Sequence, residues 1–384
     1  MMKTCSNDSV NKSVLLPMAP LMACADSGNE APLSPPRLDQ AFVTGAMESP
    51  AGRIPQVPST LTKCDRWGTI KARWGVGRMD YAVDPGLYAL GSPDEHSPVL
   101  VTANYKMSFD ALREALPGRH VWILVLDTNG INVWCAAGKG TFGTEELLRR
   151  IMASGLKDIV KHRDLILPQL GAPGVSAHLV RKLSGFKVHY GPIRARDVCA
   201  YLDAGLRATA EMRRKAFPLR ERAVLIPIEL VATLKPAMII IPSLLLISGF
   251  GGEGEFLQNM LHDGIFSIVA FLLAIFSGAV LTPLLLPYLP GRPFATKGFI
   301  AGLCVAIVLL YAWRGDPGSR HDILFEGAWL LLIPAFSAFL AMNFTGASTY
   351  TSLSGVKREM RWALPMEIGA GLSGLAVLLV SRFF

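Results

Sequence analysis

The stretch that decides the fold reads Val121-Trp122-Ile123-Leu124-Val125-Leu126 and continues into Asp127-Thr128-Asn129-Gly130. Six consecutive apolar residues closed by an aspartate are typical of a short strand that is buried on both faces, as in a parallel sheet. On either side, short apolar runs alternate with helix-like stretches, which predicts an α/β domain with a doubly wound, Rossmann-like sheet. The predicted strands are residues 99–103, 121–126, 164–167 and 186–190, and the predicted helices are residues 108–116, 145–153, 176–183 and 193–213.

Ligands of such sheets bind at the carboxyl ends of the strands, so residues 127–140 are the first place to look for chemistry. Asn132 is predicted to cap a short helix over residues 133–137, which Gly138 would end. Cys135 would then lie near the positive end of this turn, with Lys139 one turn later. Both features favour the thiolate over the thiol.

The small residues Ala136, Ala137 and Gly138 leave one side of the predicted helix bare. A flat, bulky ligand could approach that side closely, with the Cys135 sulfur pointing at it. A thiolate is a soft ligand that suits a late first-row metal. The alternative is that Cys135 is a small buried residue in a helix packed on the sheet.

One stretch is similar to a phosphate-binding loop, namely Gly138-Lys139-Gly140-Thr141, but it does not match a Walker A motif. That motif needs a glycine where this chain has Val133, and a serine or threonine where it has Gly140. The dinucleotide fingerprint G-x-G-x-x-G is also missing from this stretch. Nucleotide binding is therefore disfavoured.

The octapeptide Asn132-Val133-Trp134-Cys135-Ala136-Ala137-Gly138-Lys139 resembles the cap-helix signature of the mercury-methylating corrinoid protein family (HgcA). That family is similar to the corrinoid domain of the corrinoid iron–sulfur protein of the acetyl-CoA pathway. Residues 169–175, 184–192 and 343–355 and the apolar C-terminal tail support the resemblance, which covers roughly residues 60–384.

The resemblance implies that Cys135 is the lower axial ligand of a corrinoid cobalt, and thus both the metal ligand and the catalytic residue. A histidine ligand is disfavoured, because the cobalamin motif D-x-H-x-x-G begins at Asp94 and His96 but has Val99 in place of its glycine. The cofactor-binding residues expected from the resemblance, with Thr102 added because it ends a predicted strand, are Thr102, Asn132, Val133, Trp134, Cys135, Ala136, Ala137, Gly138 and Lys139.

The function implied is corrinoid-dependent methyl transfer to Hg(II), which forms methylmercury through methyl-Co(III) with Cys135 as the trans ligand. The implied partners are a methyltetrahydrofolate-linked methyltransferase and a ferredoxin-like electron donor with two 4Fe–4S clusters (HgcB-type). Two other functions stay open. One is a corrinoid methyl carrier in one-carbon metabolism, and the other is a membrane transporter or sensor with a cytoplasmic α/β domain.

The composition points to a membrane protein, because 51% of the 384 residues are hydrophobic and only 18% are charged. An ordinary soluble protein carries about 25% charged residues. Beyond residue 223, five apolar segments reach or approach the roughly 20 residues that cross a bilayer. These segments are residues 223–249, 264–289, 294–313, 323–344 and 363–380.

Charge asymmetry predicts the orientation of these segments. Residues 211–222 are strongly basic, the loop at 250–263 has no Lys or Arg, and Lys357, Arg358 and Arg361 precede the last segment. Basic loops stay in the cytoplasm, which predicts a multi-pass protein of the cytoplasmic (inner) membrane with a cytoplasmic corrinoid domain. The net charge of +8 therefore needs no nucleic acid as partner. The predicted domains are a disordered extension (1–60), a corrinoid-binding α/β domain (61–210), a basic juxtamembrane linker (211–222) and a transmembrane domain (223–384).

The six cysteines include no C-x-x-C pair, so we expect neither a zinc ribbon nor an iron–sulfur cluster held by this chain alone. Residues 14–21 lead to Cys24 and loosely resemble a lipoprotein signal. Pro17 and Pro20 break that apolar run, which favours disorder over a signal peptide.

Overall fold

The structure is a computed structural model that describes residues 34–251, 254–314, 323–347 and 353–383. The signal-like stretch at residues 14–21 lies outside the described residues, and so does part of the similarity at residues 343–355. An α/β region comes first along the described chain, and a helical region with five long apolar helices follows it.

Seven strands of the α/β region form one mixed sheet. They are β1 (Gly45–Ser49), β2 (Gly52–Val57), β3 (Gly86–Leu90), β4 (Val99–Ala103), β5 (Val121–Leu126), β6 (Asp164–Leu167) and β7 (Lys187–Tyr190). Its helices are α1 (Lys63–Arg73), α2 (Lys106–Glu114), α3 (Val133–Lys139), α4 (Thr144–Ala153), α5 (Leu156–Ile159), α6 (Ala177–Ser184) and α7 (Val198–Asp203).

The strand order is β1-β2-β3-β5-β4-β6-β7. Strands β5, β4, β6 and β7 run parallel to one another, while β3 is antiparallel to β5 and β1 is antiparallel to β2. All residues of β4 and β5 are buried, because helices cover both faces of a sheet built from crossover connections. The predicted strands at 99–103, 121–126 and 164–167 are present with the predicted bounds, and β7 begins one residue later than predicted.

Two strands fall inside the stretch 1–60 that was predicted to be disordered, so this prediction does not hold for β1 and β2. The two strands form an edge hairpin whose turn includes Gly52, with φ of +106°. The side chains of Ile54 and Val57 are buried and pack the hairpin against the rest of the α/β region. β3 was also missed, and it extends the sheet between β2 and β5.

The prediction of a helix over residues 193–213 is wrong for most of this range. Only a short 3₁₀ turn, Ala195–Asp197, and α7 form there. Gly205 and Leu206 have φ values of +64° and +63°, which lie in the left-handed region and end the helix. The chain therefore leaves the α/β region in an irregular segment before it becomes helical again.

The helical region begins with a short helix and then contains the apolar helices, with one π-helical turn at Phe276–Leu281. Its helices are α8 (Leu219–Ala223), α9 (Ile226–Gly249), α10 (Phe256–Ile275), α11 (Thr282–Leu285), α12 (Phe294–Arg314), α13 (Ile323–Asn343) and α14 (Leu353–Val380). Helices α10 and α14 start earlier than predicted. Lys357, Arg358 and Arg361 consequently lie within α14 rather than in a loop, since Lys, Arg, Glu and Met all favour helix.

Small residues bring α12 and α13 close together. A Cβ placed on Gly298 would lie 2.6 Å from the carbonyl oxygen of Ser337, and one on Gly302 would lie 2.8 Å from the Cα of Pro334. The Ser337 hydroxyl donates a hydrogen bond of 2.7 Å to the Gly298 carbonyl. Close backbone approach with an interhelical hydrogen bond is the packing mode of helices in lipid.

Two ion pairs join charged side chains of the described helical region. Glu326 accepts two hydrogen bonds from Arg314 Nε, at 2.9 and 3.0 Å, and Arg382 donates to Asp263 at 2.6 Å. Pairing lowers the cost of placing ionisable groups among apolar helices.

Candidate functional site

The sheet has a topological switch point between β4 and β6. The chain leaves β4 through α2 toward β5 on one side, and it leaves β6 through α6 toward β7 on the other side. Connections that part in opposite directions open a crevice at the carboxyl ends of the two strands, which is where open α/β sheets bind ligands.

A cavity of about 690 Å³ lies at this crevice. Its floor includes Thr102 of β4 and Leu167 of β6, and the start of α3 forms one side. The other side is built by residues 191–198 and by residues 215–225, which lead into α9. The cavity thus lies between the carboxyl edge of the sheet and the beginning of the apolar helices.

The cavity wall carries an excess of positive charge. Its basic residues are Arg73, Arg194, Arg196, Lys215 and Arg220. The acidic side chain in the lining is Glu221, which pairs with Lys215 and lies 3.9 Å from Arg194. Such a wall favours a ligand that bears anionic groups.

Asn104, directly after β4, holds the loop that leads to α3. Its side-chain oxygen accepts hydrogen bonds from the backbone N–H of Thr128 at 3.0 Å and of Gly130 at 3.1 Å, and its amide donates to Asp127 at 3.1 Å. Asn129 has φ of +54°, which an asparagine tolerates in a tight turn. Sequence reasoning missed Asn104, although a polar residue directly after a buried strand is the signal that could have identified it.

Asn132 caps α3 as predicted. It has extended backbone angles, and its side-chain oxygen accepts a 2.9 Å hydrogen bond from the N–H of Cys135. The helix does not end at Gly138 as predicted but continues to Lys139. Gly140 ends it, because its φ of +88° is a left-handed conformation that glycine adopts without strain.

The two faces of α3 differ from the prediction. Val133, Ala136 and Ala137 point inward and belong to the core of the α/β region, so the alanines contact the sheet side rather than a ligand. Cys135 is partly exposed, and Gly138 and Lys139 are exposed. The outer face of α3 therefore carries Cys135, with the exposed residues Gly138 and Lys139 one turn later.

The loop at residues 169–175 packs against α3 and the segment that follows it. A Cβ on Gly174 would lie 2.1 Å from the Phe142 carbonyl oxygen and 3.1 Å from the Ala137 Cα, and one on Gly171 would lie 2.5 Å from the Phe142 ring. Glycine at both positions is what lets this loop hold α3 against the sheet.

The predicted site residues divide into two groups. Thr102, Asn132, Val133 and Trp134 line the cavity. Cys135, Ala136, Ala137, Gly138 and Lys139 follow directly in α3 but are not part of the cavity lining. Thr102 is buried within β4, so it contributes to the floor rather than to an exposed edge.

Along the described chain, an α/β region with a cavity at a switch point is followed by five apolar helices. Residues 76–202 match the family described as CO dehydrogenase/acetyl-CoA synthase delta subunit. This match contains the cavity floor, α3 and the loop that holds it, and it ends before the apolar helices.

Individual relatives match a quarter to a third of the chain. The chain is 39% identical over 97 residues to the acetyl-CoA decarbonylase/synthase complex subunit gamma of Methanocaldococcus jannaschii, which covers 25% of this chain and 20% of the relative. It is 29% identical over 126 residues to the corrinoid/iron-sulfur protein large subunit of Moorella thermoacetica, which covers 32% of this chain and 28% of the relative. The chain therefore spans less than a third of the length of either relative, and part of it is similar to a corrinoid/iron-sulfur protein subunit.

Proposed function

We propose that this protein is a corrinoid-dependent methyl-transfer protein whose α/β region binds the corrinoid at the open face of α3. The observation that carries the proposal is the position of Cys135. It is a partly exposed thiol on a capped helix, its neighbour Trp134 lines the cavity, and it lies within residues 76–202, which match the CO dehydrogenase/acetyl-CoA synthase delta subunit family.

The residues of α3 fit a corrinoid. A corrinoid would take a soft donor from the protein for its metal, and the Cys135 sulfur would be such a donor. Gly138 on the same face leaves room for a flat ring to approach the helix. A bound corrinoid supplies a cobalt centre that takes up and releases a methyl group.

The remaining residues of the site position that donor. Asn132 fixes the first turn of α3, and Asn104 fixes the loop before it. Apolar residues of β4 and β6 line the cavity floor, while the basic wall offers contacts to anionic groups of the cofactor or of a methyl donor.

The finer proposal is that the methyl acceptor is Hg(II). It is supported by the resemblance of residues 132–139 to the mercury-methylating corrinoid family. The five apolar helices support it as well, because the resemblance to the mercury-methylating family includes an apolar C-terminal tail. The family match at residues 76–202 ends before these helices. The partners in this proposal are a methyltetrahydrofolate-linked methyltransferase and a ferredoxin-like protein with two 4Fe–4S clusters, both on the cytoplasmic side of the membrane.

A carrier in one-carbon metabolism is the second candidate, and the relatives favour it. The relatives are subunits of acetyl-CoA decarbonylase/synthase complexes or corrinoid/iron-sulfur proteins by name. A carrier would use the same cavity and the same cysteine, and would differ only in the molecule that receives the methyl group.

The first experiment tests the cofactor and the ligand. The full chain is purified in detergent from cells supplied with corrinoid, and visible spectra are compared for the unaltered protein, Cys135→Ala and the control Cys64→Ala, which removes an exposed thiol on α1. We expect a bound corrinoid in all three and an altered spectrum in Cys135→Ala alone. A protein without corrinoid would refute the class, and an unchanged Cys135→Ala spectrum would refute the ligand role.

The second experiment separates the acceptors. Corrinoid-loaded membranes receive a methyltetrahydrofolate-linked methyl donor, the partner ferredoxin and Hg(II), and both methylation of the protein and methylmercury are measured. Methylmercury that disappears in Cys135→Ala supports mercury methylation. A protein that accepts the methyl group but forms no methylmercury supports the carrier.

A further inference from the structure

Helix α1 and the loop after it present a row of large apolar side chains to the outside of the α/β region. The exposed fractions are 58% for Trp67, 46% for Ile70, 48% for Trp74, 61% for Val76 and 72% for Met79. A contiguous apolar surface of this kind marks an interaction site in most proteins.

The opposite face of α1 is packed on its own domain. Asp65 and Ala72 are buried there, and a Cβ on Gly68 would lie 2.8 Å from the Tyr81 ring. The helix is therefore amphipathic, and its outer apolar residues play no part in the core of the α/β region.

The loop after α1 touches the flank of the first long apolar helix. A Cβ on Gly75 would lie 3.2 Å from Ile228 Cδ1 and 3.6 Å from Val231 Cγ1. At 1.5 Å per residue, these two side chains lie within about 8 Å of the first residue of α9 along its axis. The apolar surface of α1 is thus continuous with the surface of the segment Leu219–Gly249, most of which is not buried by protein.

Basic residues accompany this apolar row. Lys63, Arg66 and Lys71 are exposed on α1, and the Lys71 ammonium lies 6.0 Å from the centre of the Trp67 ring. The acidic residue of α1, Asp65, is buried in ion pairs. Tryptophan on one side and lysine or arginine beside it are the features of a helix that lies in the headgroup layer of an anionic membrane.

We propose that α1 and residues 74–79 form a second membrane contact, with Trp67, Trp74 and Val76 in the headgroup layer and the basic residues bound to anionic lipid. This inference rests on the five apolar helices spanning a bilayer. The contact fixes the α/β region against the membrane surface, so the cavity faces the juxtamembrane segment in one orientation. No corrinoid is needed for it, so it can fail or hold independently of the proposed function.

The test measures where this surface lies in the full-length protein. Spin labels are placed at Val76→Cys and at the control Leu183→Cys, which replaces an exposed leucine on α6, in a background without the native cysteines. The protein is reconstituted in nanodiscs of phosphatidylcholine with and without phosphatidylglycerol, and label collisions with oxygen and with a water-soluble nickel chelate are compared.

We expect a several-fold higher oxygen-to-nickel ratio at position 76 than at position 183, and a further rise at position 76 with phosphatidylglycerol. Equal ratios at the two positions would overturn the proposal. A label at position 76 that neither reagent reaches would also overturn it, because protein and not lipid would then cover the surface.

Hydrogen exchange of the unaltered protein in the same nanodiscs provides an independent measurement. The amides of residues 74–79 should exchange more slowly when phosphatidylglycerol is present. The triple substitution Lys63→Gln, Arg66→Gln and Lys71→Gln should abolish this lipid effect, and persistence of the effect would refute the role of the basic residues.

Discussion

The side-chain oxygen of Asn132 accepts a hydrogen bond from the backbone N–H of Cys135, with 2.9 Å between the two atoms. The residue that starts α3 and the residue proposed to bind cobalt are therefore joined directly. The bond satisfies one of the backbone donors that a helix leaves unpaired at its start, so it fixes the first turn from which the thiol projects.

The first prediction concerns this cap. Asn132→Ala should lower the free energy of unfolding by about 1 kcal/mol and weaken corrinoid binding without removing Cys135. Asn132→Asp keeps an acceptor at the cap and serves as the control. Urea unfolding and corrinoid titration measure the two effects, and equal behaviour of the two variants would contradict the role of the cap.

The second prediction concerns Asn104, which accepts hydrogen bonds from the N–H groups of Thr128 and Gly130. Asn104→Ala leaves these buried donors unpaired, which should lower the free energy of unfolding by about 1–3 kcal/mol. Hydrogen exchange in residues 127–131 should become faster. Thr44→Ala, which removes an exposed hydrogen bond to Gln56, should change neither quantity.

The third prediction concerns a buried ion network in the α/β region. Asp65 contacts Lys106 at 2.7 Å and Arg113 at 2.9 Å, and Asp110 contacts the same two cations at 2.8 Å each. Removing one negative charge leaves an uncompensated cation in the interior. Asp65→Asn should therefore lower the free energy of unfolding by about 3–5 kcal/mol. Asp203→Asn, which breaks an exposed pair with Arg119, should cost less than about 1 kcal/mol in the same urea measurement.

The same network predicts a pH dependence. Burial by itself raises the pKa of Asp65, but hydrogen bonds from Lys106 and Thr62 outweigh it, so the pKa lies below its usual range. A depressed carboxyl pKa stabilises the fold above the unfolded value of about 3.9, and this contribution is lost as the pH falls below it. The free energy of unfolding, measured from pH 7 to pH 3, should fall less in Asp65→Asn than in the unaltered protein. Parallel curves of unfolding free energy against pH would contradict the assignment.

The fourth prediction concerns the packing of α12 on α13. A Cβ on Gly298 would lie 2.5 Å from the Ala341 Cβ, whereas one on Gly369 meets nothing within 4 Å. Gly298→Ala should therefore lower the melting temperature in detergent. Gly369→Ala should leave it unchanged or raise it, because alanine favours helix by about 1 kcal/mol over glycine. A stable Gly298→Ala would mean that the two helices do not pack this closely.

The sequence by itself determined the elements whose signal is local. β4, β5 and β6 were predicted with correct bounds, because a short continuous apolar run can be buried in few other ways. Asn132 was predicted as a cap because an asparagine before a helix satisfies a backbone donor that has no partner within the helix. Five apolar segments were predicted because helix length and bilayer thickness constrain them directly.

Only the tertiary structure decided the elements and faces that depend on distant partners. β2 and β3 gain hydrogen bonds from strands far along the chain, and their short sequences carry little signal of that pairing. The direction of Ala136 and Ala137 toward the core, and the cavity wall formed by residues 215–225, required the folded chain. A local pattern records whether a residue prefers burial or a cap, but which surface buries it is set by contacts between segments far apart in the chain.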